Sequence, residues 1–365
     1  MPRRGVATGA AIALLATLTA CLGAGSAPAT TATHSAPHAL GFSDEAEVVM
    51  GTLKAPPTGA FLARIRSGEM GGVLFLGNGW LTRSKVRHIT AQLQQAACTR
   101  GEPLLIALDQ EGGIVKRLSY APPTESPADM VNPVDAHAQA SATAAALRQA
   151  GVSIDFAPVV DTPGPAGNFE GSRVFSDSPA WNADMAKAFV RGLQENGIAA
   201  TAKHFPGLGL ASGNTDHGQI TIGASKAKIE PGLLPFQAAV KAGIKLVMVS
   251  TAIYPHLDAS RVPAAFSSTI INGILRQQLG FKGVTVTDSL TAPAADAIPH
   301  AATKAMLAGS DLLIWGAESA AEQGYATLVA DATGSAALRT RLAQASGRIR
   351  ALKTWLTAHG GPSCS

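Results

Sequence analysis

The sequence predicts an α/β fold, a single (β/α)8 barrel of the TIM type, on three observations. Short, near-continuous apolar runs recur along the chain with helical segments between them. Charged and hydroxyl side chains stand immediately beyond those runs. No glycine-rich phosphate loop of the pattern G-x-G-x-x-G or G-x-x-x-x-G-K-[ST] follows the first strand, as a doubly wound nucleotide-binding sheet would usually require. Near-continuous apolar runs suit strands buried on both faces, and strand-end residues of a barrel converge on one face, where active sites sit.

The elements follow in order. Residues 1–20 read as a signal peptide: Arg3-Arg4 give a basic start, and residues 10–18 form an apolar run too short to span a membrane as a mature helix. Leu18-Thr19-Ala20-Cys21 resembles the bacterial lipobox, which implies cleavage before Cys21 and lipid on its sulfur. Several acyl chains would hold the protein to the bilayer, where one would not. The expected location is therefore the outer face of a bacterial cytoplasmic membrane. Residues 21–40, with Ser26-Ala27-Pro28 and Ser35-Ala36-Pro37, lack apolar periodicity and read as a flexible tether.

Residues 41–360 then form one domain. Its apolar runs lie at residues 72–76, 104–108, 154–160, 198–202, 246–249, 284–287 and 312–315, with Val48-Val49-Met50 a fainter first strand. Helical segments are expected over residues 82–98, 136–149, 178–196, 231–242, 268–279, 301–307 and 336–357. Ser178-Pro179 supplies a cap and a first-turn proline, and Gly197 a stop.

The 365 residues carry 29 Lys and Arg against 25 Asp and Glu, a net charge of +4, and the cations form no stripe. Nucleic acid is thereby excluded as a partner. Export permits a disulfide between Cys98 and Cys364, although spacing alone does not show that they meet. No metal-ligand spacing involves them.

The chemistry concentrates at Lys203-His204-Phe205-Pro206-Gly207 and the loop running on to Asn214-Thr215-Asp216-His217. Asp109, Asp161, Ser250 and Asp288 end other strands. Together with Leu108-Asp109-Gln110-Glu111-Gly112-Gly113, Ile154 through Asp161, Arg173-Val174-Phe175 and Gly283 through Leu290, these motifs resemble glycoside hydrolase family 3, in particular its single-domain bacterial β-N-acetylglucosaminidases. Five landmarks stand in the family's order across nearly all of the chain after the tether.

The resemblance implies a retaining hydrolase that removes terminal N-acetylglucosamine from peptidoglycan-derived fragments, with no metal or organic cofactor. Asp288 corresponds to the nucleophile. Asp109, Arg117, Arg173, Lys203 and His204 line the sugar pocket; Asp161 supports its strand end and Glu111 stands behind. The family's acid is a His preceded by an Asp two positions earlier. Ungapped alignment from Lys203 puts Asn214 and Asp216 at those places, and a one-residue shift puts Thr215 and His217 there. The expectation is His217, because imidazole titrates near neutral pH; Asp216 is the alternative. Ile114, Leu208 and Thr251 depart from the family pattern, which often has Arg, His and His there. A β-glucosidase-like or phosphorolytic enzyme, or a wall-fragment-binding lipoprotein without turnover, are the other readings of the same residues.

Overall fold

The computed structural model describes residues 41–80, 82–164 and 169–364. The signal peptide, Cys21 and the tether lie outside the described residues.

Seven parallel strands form one sheet. In chain order the strands are β1 (Met50–Leu53), β2 (Gly72–Phe75), β3 (Leu105–Leu108), β4 (Gln110–Gly112), β5 (Val115–Lys116), β6 (Ile154–Asp155), β7 (Ala199–Phe205), β8 (Leu246–Val249) and β9 (Val284–Thr287). The sheet runs β1-β2-β3-β6-β7-β8-β9, while β4 and β5 make a separate antiparallel hairpin. Leu312 and Leu313 close the ring: Leu312 bridges Val286 and Leu313 bridges Val49, both in parallel. The result is the TIM-type (β/α)8 barrel. Every residue of β1, β2, β3, β8 and β9 is buried, because the barrel interior covers one face and the helices the other.

Helix boundaries follow local chemistry. Asn132 caps Pro133–Ala150 by accepting from the amides of Val134 and Asp135, and Gly151, in the left-handed region at φ 77°, ends it. Ser178 caps Pro179–Glu195, with the proline in the first turn. The two helices pack on each other, and Pro179–Glu195 also packs onto β7.

Several elements differ from expectation. Ser43 caps a one-turn helix, Asp44–Glu47, which delays the first strand to Met50. The run at 154–160 forms a strand of only two residues, Ile154–Asp155, and meets β7 again at a single bridge from Val159 to Lys203, with Pro158 between them supplying no amide. The run at 312–315 makes bridges and no extended ladder. Strand β7 continues through Phe205, so Lys203 and His204 belong to the strand and do not follow it. The segment 269–278 is helical with wide π turns. Helices Gly59–Ser67 and Glu318–Gly334, and the β4–β5 hairpin, were not indicated by apolar periodicity. Cys98 and Cys364 are joined in a disulfide.

Candidate active site

A cavity of about 430 Å³ opens at the C-terminal end of the barrel strands. Asp109, Arg117, Arg173, Lys203, His204, Asp216 and Asp288 all line it, joined by Glu111, Lys54, Phe169 and Trp315. His217 is exposed and lies off the cavity wall.

One wall is an ionic lattice. Lys203 Nζ stands 2.7 Å from Asp109 Oδ1 and 2.6 Å from Glu111 Oε1. Arg173 binds Glu111 in bidentate fashion, at 2.7 and 2.8 Å. Arg117 approaches Asp109 Oδ2 at 3.4 Å. Burial raises the Asp109 carboxyl, but Lys203 and Arg117 outweigh it and bring it down to about 2. The same balance lowers Glu111, held by Lys203 and Arg173 against burial. Burial lowers Lys203, yet Asp109 and Glu111 raise it beyond its ordinary value, so it stays an ammonium. Glu111 is thus part of the wall and fixes both cations at once.

The hairpin that carries these groups is organised by Gln110. Its side chain donates to the carbonyls of Leu118, Ala121 and Pro122 and accepts from the Leu118 amide. Its own amide donates to Asp155 Oδ1 at 2.9 Å. Asp155 Oδ2 is buried with no hydrogen-bond partner among the described residues, and burial raises that carboxyl well above its usual range. Ile114, at the hairpin tip, is 78% exposed. The family's arginine position there faces solvent, while Arg117 reaches inward.

The second wall rests on Asp161. Its Oδ2 accepts from the backbone amide of His204 at 2.9 Å and from His204 Nδ1 at 2.8 Å, and its Oδ1 accepts from the Leu208 amide at 2.5 Å. Asp161 therefore sets the tautomer of His204, with Nδ1 carrying the proton and Nε2 left for the cavity side. The Lys203–His204 and Phe205–Pro206 peptide bonds are cis. Leu208, in place of the family's His, is buried and lines the cavity. Thr251 is buried.

Asp288 follows β9. Its amide donates to the Val249 carbonyl, and its Oδ1 accepts from the Ser289 amide at 2.7 Å. Burial raises its pKa; the neighbouring His204 opposes the shift and the Asp216 charge adds to it. A carboxylate at the base of the cavity thus senses a second carboxyl at its mouth. Sequence reasoning missed Glu170, which is buried beside Asp161 and His204; a lone Glu in a Gly- and Ser-rich loop carries no sequence signal. Ligand-type atoms of Asp161, Glu170 and His204 lie within 4.8 Å of one another. The oxygens of Asp161 and Nδ1 of His204 are already engaged in hydrogen bonds, which makes the group a proton-holding network.

Residues 50–352 match the glycosyl hydrolase family 3 N terminal domain. A β-hexosaminidase of Xanthomonas oryzae is 36% identical over 233 residues, covering 60% of this chain and 67% of that protein. One from Nitrosomonas eutropha is 32% identical over 259 residues, covering 67% and 73%. Among solved structures, a family 3 β-N-acetylglucosaminidase from a Paenibacillus species superposes with a TM-score of 0.81 at 28% identity. That alignment covers 88% of this chain and 63% of the Paenibacillus chain, so the chain spans less than two thirds of that relative. A β-N-acetylhexosaminidase from Beutenbergia cavernae gives 0.80 at 30% identity, over 85% and 97%. With residues 50–352 matching the family over most of the chain, on a barrel of the same fold, the chain belongs to glycosyl hydrolase family 3.

Proposed function

We propose that the protein is a retaining exo-β-N-acetylglucosaminidase acting on terminal N-acetylglucosamine in peptidoglycan-derived fragments. The observation that carries this reading is Asp288 in the lining of a cavity that it shares with the charged groups Asp109, Glu111, Arg117, Arg173, Lys203 and Asp216. Its volume falls in the lower part of the roughly 300–1,000 Å³ range for small-ligand sites, which suits one terminal sugar. The β-hexosaminidase relatives support the amino sugar as substrate.

Asp288 attacks the anomeric carbon, forming a C1–O bond to the enzyme as the glycosidic C1–O bond breaks. An acid gives its proton to the departing oxygen; the same group then takes a proton from water, whose oxygen displaces Asp288. Asp216 is the group we assign as that acid, because it lines the cavity and His217 does not. Forming the glycosyl-enzyme removes the Asp288 charge as Asp216 gains its own, so the two carboxyls are never required to be charged together. Asp109, Lys203, Arg173 and His204 hold the sugar hydroxyls through charge-assisted hydrogen bonds.

The test pairs p-nitrophenyl N-acetylglucosaminide with the glucoside, each with and without phosphate. Faster release from the amino sugar, independent of phosphate, is expected. Asp288→Asn should lower turnover by on the order of 10³ or more. Preference for the glucoside, or acceleration by phosphate, would sink the reading.

We further propose an exported lipoprotein anchored through Cys21 to the outer face of the cytoplasmic membrane. The Leu18-Thr19-Ala20-Cys21 motif supports it, and the Cys98–Cys364 disulfide suits an oxidising compartment. Among the described residues no helix is long and apolar enough to cross a membrane. A Cys21→Ala chain should leave the membrane fraction or remain uncleaved; a processed, lipidated product from that variant would exclude this site.

A further inference from the structure

The barrel strands run parallel, so residues just before a strand stand at the end opposite the cavity, whose walls come from residues just beyond the strands. Two grooves meet at that opposite end. One is lined by Gly151 and Val152, before β6, and by Gly197, before β7. Its charged groups are Arg83, Arg87 and Arg148, and among the described residues no carboxylate lines it. The other, about 880 Å³, runs between helices Pro179–Glu195 and Leu233–Lys241 to Lys245, before β8. There Lys187, Arg191, Lys241 and Lys245 face only Asp184 and Glu195. Glu195 is already bound, with His137 at 2.8 Å and Arg191 at 3.1 Å.

The grooves are continuous through the C-terminal tail. Gly360 lines the first and His359 the second. The His359 carbonyl lies so close over Gly197 that a Cβ there would come within 2.5 Å of it. Trp355 lines the second groove, with Lys245 Nζ 4.6 Å from its ring centre and His359 stacked on it at 4.5 Å. Arg87, Lys187 and Lys241 are exposed, and their side chains have no ion pair or hydrogen bond among the described residues. The sequence shows no stripe of cations because these come from four helices and a loop. Gathered on one end beside a tryptophan, they complement a layer of closely spaced anions.

The chain's own attachment selects the partner. The carbonyl of Gly41, where the described residues begin, accepts from Arg100 Nε at 3.0 Å and Nη2 at 2.7 Å. The Phe42 amide donates to Glu102 at 3.2 Å. Arg100 and Glu102 precede β3, so the chain enters the barrel at this same end. Residues 21–40, read as a tether from a lipidated Cys21, lead into that point. A flexible chain of that length spans about 25 Å. It would keep this end within reach of a bilayer and raise the effective concentration of headgroups there. A free anionic polymer has no such bias toward this end.

We propose that the basic end of the barrel docks on anionic lipid headgroups, so that the cavity opens away from the membrane. The proposal rests on the lipoprotein reading for its tether, and its test needs no lipid on Cys21.

The full Cys21→Ala chain is sedimented with vesicles of phosphatidylglycerol and phosphatidylcholine in equal parts, or of phosphatidylcholine alone. The charged vesicles should bind on the order of tenfold more tightly at low salt. That preference should collapse near 1 M salt, where the screening length is about 3 Å. Any leader or acyl chain that persists enters both vesicles alike, so the comparison reads the charged end even where the anchor reading fails. Arg87→Glu, Lys187→Glu and Lys241→Glu together should abolish the preference while melting temperature and hydrolysis stay parent-like. Equal binding to both vesicles, or a triple variant that binds as the parent does, overturns the proposal. Tighter binding to soluble poly(glycerol phosphate) than to the charged vesicles also overturns it, and gives the face to a polymer. Hydrogen exchange on the charged vesicles locates the contact. Amides of residues 241–245 and 355–361 should slow and those of 214–217, at the cavity, should not; the reverse pattern overturns the orientation.

Discussion

A sugar leaving group of high pKa needs its departing oxygen protonated, whereas an activated aryl leaving group needs little help. That difference separates two adjacent residues. Both are exposed, but Asp216 lines the cavity and its charge reaches Asp288, whereas His217 is off the wall. Asp216→Ala should therefore slow a natural disaccharide by about 10² or more while largely sparing the aryl glycoside, and His217→Ala should do neither. The reverse pattern would return the role to His217. Asp109, Arg117, Arg173, Lys203, His204 and Asp288 were legible from sequence as lining residues, because each stands in or beside a short motif whose order along the chain resembles the family's. The loop choice was not legible. Which of two neighbours faces inward depends on backbone direction, and alternation along an irregular loop has no period to read. Glu170 escaped for a different reason: a lone Glu in a Gly- and Ser-rich loop has no period or motif, and its burial beside Asp161 and His204 shows only in the fold.

Among elements, the first and last helices of the described chain are joined by a buried ion cluster. Lys353, on Ala336–Ala358, lies 2.8 Å from Glu47 and 3.1 Å from Glu102. Burial raises Glu47 from 4.5 to about 8, against the pull of Lys353. Its folded pKa exceeds the unfolded one, so the folded state binds more protons between those values. Its contribution to stability is thus present below about 4.5 and lost as pH rises through about 8. Glu47→Gln should flatten the fall in melting temperature over that window; an unchanged slope would place the titration elsewhere. Asp311 plays the matching part under β9, binding Arg276, Arg341 and Arg348 at 2.6 to 3.0 Å. Most strands were readable as apolar runs and most helices from their caps. Glu318–Gly334 was not, because alanine, glycine and threonine on both faces blur the 3.6-residue period that marks a buried stripe. The hairpin was hidden because its pairing is held by the Gln110 side chain more than by strand-forming residues.

At the scale of the whole molecule, the disulfide joins the C-terminus of helix Arg83–Cys98 to the tail beyond the last helix, across a sequence separation of 266. In the barrel's wiring that is the end opposite the cavity. Cross-linking over so long a stretch restricts the unfolded chain and is worth about 2–5 kcal/mol. Cys98→Ser with Cys364→Ser should lower the unfolding free energy by that amount and leave kcat at moderate temperature unaltered; a loss of kcat in the folded double variant would tie the bridge to the cavity. The seam sealed by Leu312 and Leu313 carries a consequence for how the chain is made. The partner of Val49 is synthesised last among the strands, so a nascent or truncated chain ending earlier keeps two open strand edges available to other chains. The same missing segment supplies Ile314 and Trp315 of the cavity. Interrupted synthesis therefore yields a product that is both adhesive and inert, and the sealing of one seam gives protein quality control a single feature by which finished molecules differ from unfinished ones.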